Sequence, residues 1–142
     1  MTVEQLLAVK RPGIVTISAG ASVYDALVLM ADHDIGAVIV VDGSSQVVGV
    51  LSERDYARKI ILHDKHSRDV PVSEIMTRRV VYVTPADSLE HCMTLVTERH
   101  VRHLPVMDGD ALVGVLSIGD LVKATLSEQA YTIRQLEMYV TT

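Results

Sequence analysis

The spacing of apolar and polar positions divides the chain into two halves that predict the same succession of elements. Short β-branched runs open each half, Val15-Thr16-Ile17 in the first and Val80-Val81-Tyr82-Val83 in the second, and turn-like residues follow at 18–21 and 84–86. Next, Val23, Ala26, Leu27, Met30 and Ala31 recur at helical spacing, as do Leu89, Cys92, Met93 and Val96. That periodicity predicts an amphipathic helix in each half. Ser22 with Asp25, and Asp87 or Ser88, stand where caps are expected. Apolar runs 37–41 and 47–51 then flank Asp42-Gly43-Ser44-Ser45-Gln46, and runs 104–107 and 112–116 flank Asp108-Gly109-Asp110. Asp-Gly between apolar runs predicts a hairpin, and nearly continuous Val, Ile and Leu predict strands covered on both faces. A second helix is expected from Ser52 and from Ser117, so the unit is β-α-β-β-α, twice, in the α/β (α+β) class.

The halves also share residues. Gly49-Val50-Leu51-Ser52-Glu53-Arg54-Asp55 returns as Gly114-Val115-Leu116-Ser117-Ile118-Gly119-Asp120. Ser22, Val40, Asp42 and Gly43 return 66 residues later as Ser88, Val106, Asp108 and Gly109, while the phrase itself returns after 65, so the second turn is one residue shorter. A repeat of this size fits a two-fold duplication. The expected division is repeat 1 at 5–63, a polar linker at 64–71, repeat 2 at 72–126 and a tail at 127–142. Within the tail, Ala130, Ile133, Leu136 and Val140 form a helical stripe that needs a surface to pack on.

Composition narrows the function classes. Apolar residues make up 49% of the 142, which fits a folded core and not a disordered chain. Aromatics are 4%, without Trp or Phe, so little is available for base stacking, and the net charge of −5 argues against nucleic-acid binding. Cys92 is the only cysteine, which excludes an internal disulfide. His91, Cys92, His100 and His103 match no zinc spacing, and Cys92 lies on the apolar stripe, so no metal site is expected. The N-terminus lacks a secretory pattern and no run is long enough to span a membrane, which points to a cytoplasmic protein.

The doubled phrase supports two readings. Ser is a good N-cap, and Asp three residues on completes a capping box at the positive end of a helix dipole. Equally, backbone N–H groups at a helix start hold anions, Ser adds a hydroxyl, and Asp can accept from both hydroxyls of a ribose. In that second reading the glycine keeps the backbone open to a ligand. No symmetric His, G-x-S-x-G elbow or P-loop accompanies the pair, so catalysis is not expected.

These residues resemble a known family. The two Gly-h-h-Ser-x-x-Asp phrases (h, apolar), Arg102-His103-Leu104-Pro105-Val106 and Ile75-Met76-Thr77 are together similar to a tandem pair of CBS domains, named after cystathionine β-synthase. The likeness covers residues 5–126 and is nearest to small stand-alone bacterial CBS-pair proteins. It implies repeats packed through their sheets with pseudo-two-fold symmetry and two clefts for adenosine-containing ligands: AMP, ADP, ATP, NAD(H) or S-adenosylmethionine. By position, Asp55 and Asp120 would hold riboses, with Ser52 and Ser117 near ribose or phosphate. Adenine would lie against Ile14 and Val15 for Asp120, and against Val80 and Val81 for Asp55. Ile35, Gly36 and Ala37, and Val101, Arg102 and His103, would line the clefts. The clefts would differ, since Arg54 faces Gly119 in the alignment and Gly36-Ala37 faces Arg102-His103. The resemblance also implies a homodimer, a four-repeat disc, and an effector protein that receives the signal. The alternative is an interaction protein with vestigial clefts.

Overall fold

The apolar runs beside the two Asp-Gly turns pair as antiparallel hairpins in the computed structural model, which describes residues 1–10 and 13–141. In chain order the elements are α1 (Val3–Val9), β1 (Thr16–Ser18), α2 (Val23–His33), β2 (Ala37–Val41), β3 (Val47–Ser52), α3 (Glu53–Tyr56), α4 (Val72–Ile75), α5 (Leu89–Arg99), β4 (His103–Asp108), β5 (Ala111–Ser117) and α6 (Ile118–Thr141). Each hairpin turn is built by its own residues. Asp42 Oδ1 accepts from the backbone of Ser44 (2.9 Å) and Gln46 (3.0 Å), and Gly109 supplies a positive φ of 61°. Both long helices start as expected: the hydroxyls of Ser22 and Ser88 accept from the N–H of Asp25 and His91. Both end on a left-handed residue, Asp34 and His100.

The first half departs from the expected pattern at one place and the second at two. The helix after Ser52 does not continue as an α-helix; it passes into a π-helical stretch, Ala57–Ile61. In the second half only Val83 of the run 80–83 joins a sheet, by a single parallel bridge to Val106, so the strand expected there is absent. Its counterpart β1 pairs with β2 over three residues, Thr16, Ile17 and Ser18. Nor is the tail a separate helix. It is the distal part of α6, 24 residues long and unbroken from Ile118.

The chain forms two compact units whose limits cut across the repeats. One is Gly13–Val80; the other joins the N-terminal segment to everything from Val81 on. In the first-repeat unit, Val23, Ala26 and Met30 of α2, Val38 and Val40 of β2, Leu51 and Ile60 close a core together with Val72 and Ile75 of α4. In the second-repeat unit, Leu89, Cys92 and Val96 of α5 pack with Leu104, Val106, Leu116 and Leu121, closed by Val3 and Leu6 of α1. The short helix leading each repeat in sequence is thus part of the other repeat's core. Each docks by main-chain bonds to the turn before the long helix: Val72 donates to Ala21 (2.7 Å) and Val3 to Asp87 (2.8 Å). Full burial of one such Val or Leu is worth roughly 1.5–3 kcal/mol, which is what holds so short a helix in place. The polar stretch before α4 is part of this packing. Val70 is buried, and Val70 and Ser67 accept from the first N–H groups of α2.

The glycines of the doubled phrase serve these lead helices. A Cβ on Gly49 would stand 2.7 Å from Met76 Sδ and 2.9 Å from the Thr77 carbonyl oxygen; one on Gly114 would stand 2.6 Å from Leu7 Cδ2. Close packing of the lead segment, and not access for a ligand, is what demands glycine there.

Candidate functional site

Each hairpin carries its Ser and Asp at the point where the second strand becomes a helix. In the first-repeat unit, Ala37 is paired with Ser52 across the sheet, and the Gly36 carbonyl accepts from Glu53 N–H at 3.1 Å. In the second-repeat unit, His103 is paired with Ser117, and the Arg102 carbonyl accepts from Ile118 N–H at 2.9 Å. Gly36 and Ala37 therefore adjoin Ser52, and Arg102 and His103 adjoin Ser117. Ile35 and Val101 lie partly buried against their own cores, one residue further back. Val15 packs on the first-repeat core with Ile14 exposed beside it, and Val81 packs on the second-repeat core. Val80 is half-buried at the end of the first-repeat unit.

Both Ser–Asp pairs form the reciprocal cap that their spacing allows. Asp55 Oδ2 accepts from Ser52 N–H (3.0 Å) and from its hydroxyl (3.1 Å), while Ser52 Oγ accepts from Asp55 N–H (3.2 Å). Likewise Asp120 Oδ2 accepts from Ser117 N–H at 2.8 Å, and Ser117 Oγ from Asp120 N–H at 3.2 Å. Capping and ligand binding are not exclusive, because a carboxylate has lone pairs to spare.

The two carboxylates differ in what remains. Asp55 Oδ1 also meets Thr77 Oγ1 (3.4 Å) and Lys59 Nζ (3.2 Å), and Lys59 is anchored on the Ile75 carbonyl at 2.9 Å. Both oxygens of Asp55 are thus engaged within its unit. Lys10 Nζ donates to Asp120 Oδ2 at 2.7 Å and to the Val115 carbonyl. Among the described residues nothing donates to Asp120 Oδ1. Arg54 is exposed in the first turn after Ser52. Gly119 leaves the matching place bare, and a Cβ there would meet only Ser117 Oγ at an ordinary 3.6 Å.

Lys10 was not legible as a site residue. It is 110 positions from Asp120 in the chain, and only docking of α1 in the second-repeat unit brings it there. Its charge shapes the cluster. Burial alone would raise the Asp120 carboxyl, but the hydrogen bonds from Lys10 and Ser117 outweigh it and hold the group below its ordinary value. Burial, then the nearby Lys10 charge, lowers His103 below the usual imidazole range, with Asp120 opposing and Arg102 adding. The result is one carboxylate paired with Lys10 beside the lowered imidazole of His103, at a helix start, with the exposed Arg102 next to His103. Residues 3–62 and 72–127 match the family described as the CBS domain.

The chain belongs to the CBS domain family. A CBS domain protein from Burkholderia ambifaria MC40-6 is 48% identical with a TM-score of 0.87, covering 91% of this chain and 96% of that one. The CBS-domain containing protein ATU1752 from Agrobacterium tumefaciens is 34% identical, with a TM-score of 0.83 over 87% and 92% of the two chains. Among curated proteins, CBSX3, mitochondrial, of Arabidopsis thaliana is 37% identical over 84% of this chain, which spans 60% of that protein's length. YhcV of Bacillus subtilis is 32% identical over 82% of each. The CBS domain pair of protein MJ0100, solved in complex with 5′-methylthioadenosine and S-adenosylmethionine, shares the fold at 22% identity and a TM-score of 0.79. CBS-pair proteins of this kind are regulatory and sensor modules. No helix among the described residues is long and apolar enough to cross a membrane.

Proposed function

We propose that this CBS pair senses adenosine-containing ligands, AMP, ADP or ATP with NAD(H) as a further candidate, and passes their occupancy to an effector protein without catalysing a reaction. The observation that carries the reading is the second-repeat cluster. Asp120 keeps one carboxylate oxygen for a ribose hydroxyl, while Lys10, Arg102 and the Ser117 hydroxyl offer donors to a phosphate. The adenosine derivatives held by the fold-related MJ0100 pair are of the same chemical class. On this reading Asp120 is the stronger ribose acceptor and Asp55 the weaker, because Asp55 is already paired on both oxygens. Ligand that favours one arrangement of the repeats would shift a two-state equilibrium that a partner can read.

Isothermal titration calorimetry with AMP, ATP and NADH tests this, with Asp120→Asn and Asp55→Asn as variants that retain an acceptor for the cap. Binding weakened mainly by Asp120→Asn is expected. Absence of heat from all three at millimolar concentration would overturn the proposal.

The completed caps on both Ser–Asp pairs favour one other reading, an interaction protein with vestigial clefts. It requires a melting temperature unmoved by every nucleotide, whereas binding to the native state must raise it.

A further inference from the structure

α6 carries two apolar seams, and only one is used by its own unit. Leu121 and Ala124 are buried in the second-repeat core, whereas Val122, Leu126, Gln129, Ile133, Leu136 and Val140 lie on another side and are exposed. Their intervals alternate between four and three residues, the a/d register of a coiled coil, over roughly three heptads. The apolar members are open to solvent by 43% to 81%. Ile133, Leu136, Glu137 and Val140 border an open apolar hollow of about 310 Å³. A helix extending through Thr141 with such a seam uncovered is a surface for another helix.

We propose that the occupant is α6 of a second copy, packed antiparallel. A two-fold axis passing near Ala130 sets Val122 against Val140 of the partner subunit, Leu126 against Leu136 of the partner subunit, and Gln129 against Ile133 of the partner subunit. Charge selects the antiparallel sense. Lys123 and Glu137 follow seam positions, and antiparallel pairing brings each beside the other's copy, twice by symmetry; parallel pairing gives neither an opposite partner. Ala130 and Thr132, both small, flank the axis and let the backbones approach. Like charges meet nowhere along the flanks. The contact is independent of the nucleotide reading and uses none of the residues around Ser52 or Ser117.

The orientation can be read by crosslinking in the full chain. Antiparallel pairing places Ala130 opposite itself, whereas parallel pairing places Ile133 opposite itself. With Cys92 buried in its core, Ala130→Cys should form a disulfide-linked dimer under copper phenanthroline and Ile133→Cys should not. In sedimentation, Lys123→Glu should weaken this association about fivefold, and adding Glu137→Lys should restore it. Leu136→Asp, at an exposed position, should abolish the Ala130→Cys crosslink while leaving the circular dichroism spectrum unchanged. Crosslinking at 133 and not at 130 would overturn the antiparallel arrangement. No crosslink at either position, or a 130 crosslink indifferent to Leu136→Asp, would overturn the α6 contact, whatever dimer forms through another face.

Discussion

Replacing Gly49 with alanine should destabilise the first-repeat unit far more than Gly114→Ala destabilises the second, although both occupy the same place in the repeated phrase. At Gly49 the new Cβ would lie 2.9 Å from the Thr77 carbonyl oxygen. Thr77 cannot retreat cheaply, because it exchanges two main-chain bonds with Val50, at 3.0 and 2.9 Å. Overpacking costs about 1–3 kcal/mol, and each strained hydrogen bond forfeits up to about 1 kcal/mol. Removing strand glycine returns about 0.5–1 kcal/mol. The net loss for Gly49→Ala should be about 2 kcal/mol. At Gly114 the obstacle is the tip of Leu7, a side chain that can change rotamer for about 0.5–1.5 kcal/mol. With the same strand gain, Gly114→Ala should end within about 1 kcal/mol of the parent. Urea unfolding followed by far-ultraviolet circular dichroism gives both differences, provided the slope is unchanged. Hydrogen exchange at the Val50 amide locates the first, since that N–H donates to Thr77. Equal losses for the two alanines, or undiminished Val50 protection in Gly49→Ala, would refute the argument that backbone and side-chain neighbours set the cost.

Two further outcomes concern the Asp120 cluster. Asp120 is held below the ordinary carboxyl value, so its contribution to stability is complete above about pH 4 and is lost as pH falls through its lowered folded-state value. Lys10→Met should shrink that acid-side loss and weaken nucleotide binding, checked by urea midpoints from pH 2 to pH 6 and by calorimetry; an unchanged acid limb would show the ion pair to be energetically idle. His103 is lowered in the folded state, so its neutral form favours folding above about pH 6.5 and stability declines as pH drops below that. His103→Gln should flatten the midpoint profile between pH 5 and pH 7, and a profile identical to the parent would contradict the assignment.

The elements that local rules govern were readable along the chain. Both hairpins follow from Asp-Gly between apolar runs, and both long helices from their period and from Ser22 and Ser88, because those signals act within a few residues. Ser52, Asp55, Ser117 and Asp120 were legible for the same reason, and so were the residues leading into β2 and β4, which the register sets beside the two serines. What escaped was tertiary. Lys10 reaches Asp120 only because α1 completes the core of the repeat that lies last in sequence. The glycines owe their identity to Met76, Thr77 and Leu7, contacts that no local pattern announces. The run at 80–83 has strand composition, yet only Val83 finds a partner edge. The π-helical stretch after Tyr56 has no compositional signature at all, since it differs from an α-helix only by one residue in the spacing of its hydrogen bonds.

The exchange of lead helices gives the two units different histories during synthesis. Gly13–Val80 is a continuous stretch, so every part of its core, α4 included, has been translated once Val80 has emerged. The other unit must keep α1 waiting, with Val3, Leu6 and Leu7 unsheltered, until α5, β4 and β5 have been made, about a hundred residues later. Closing that long loop is entropically modest, about 0.6 kcal/mol per doubling of length, but it orders the events. The repeat that comes first can reach its native core during elongation, and the repeat that comes last must retrieve the beginning of the chain to finish its own.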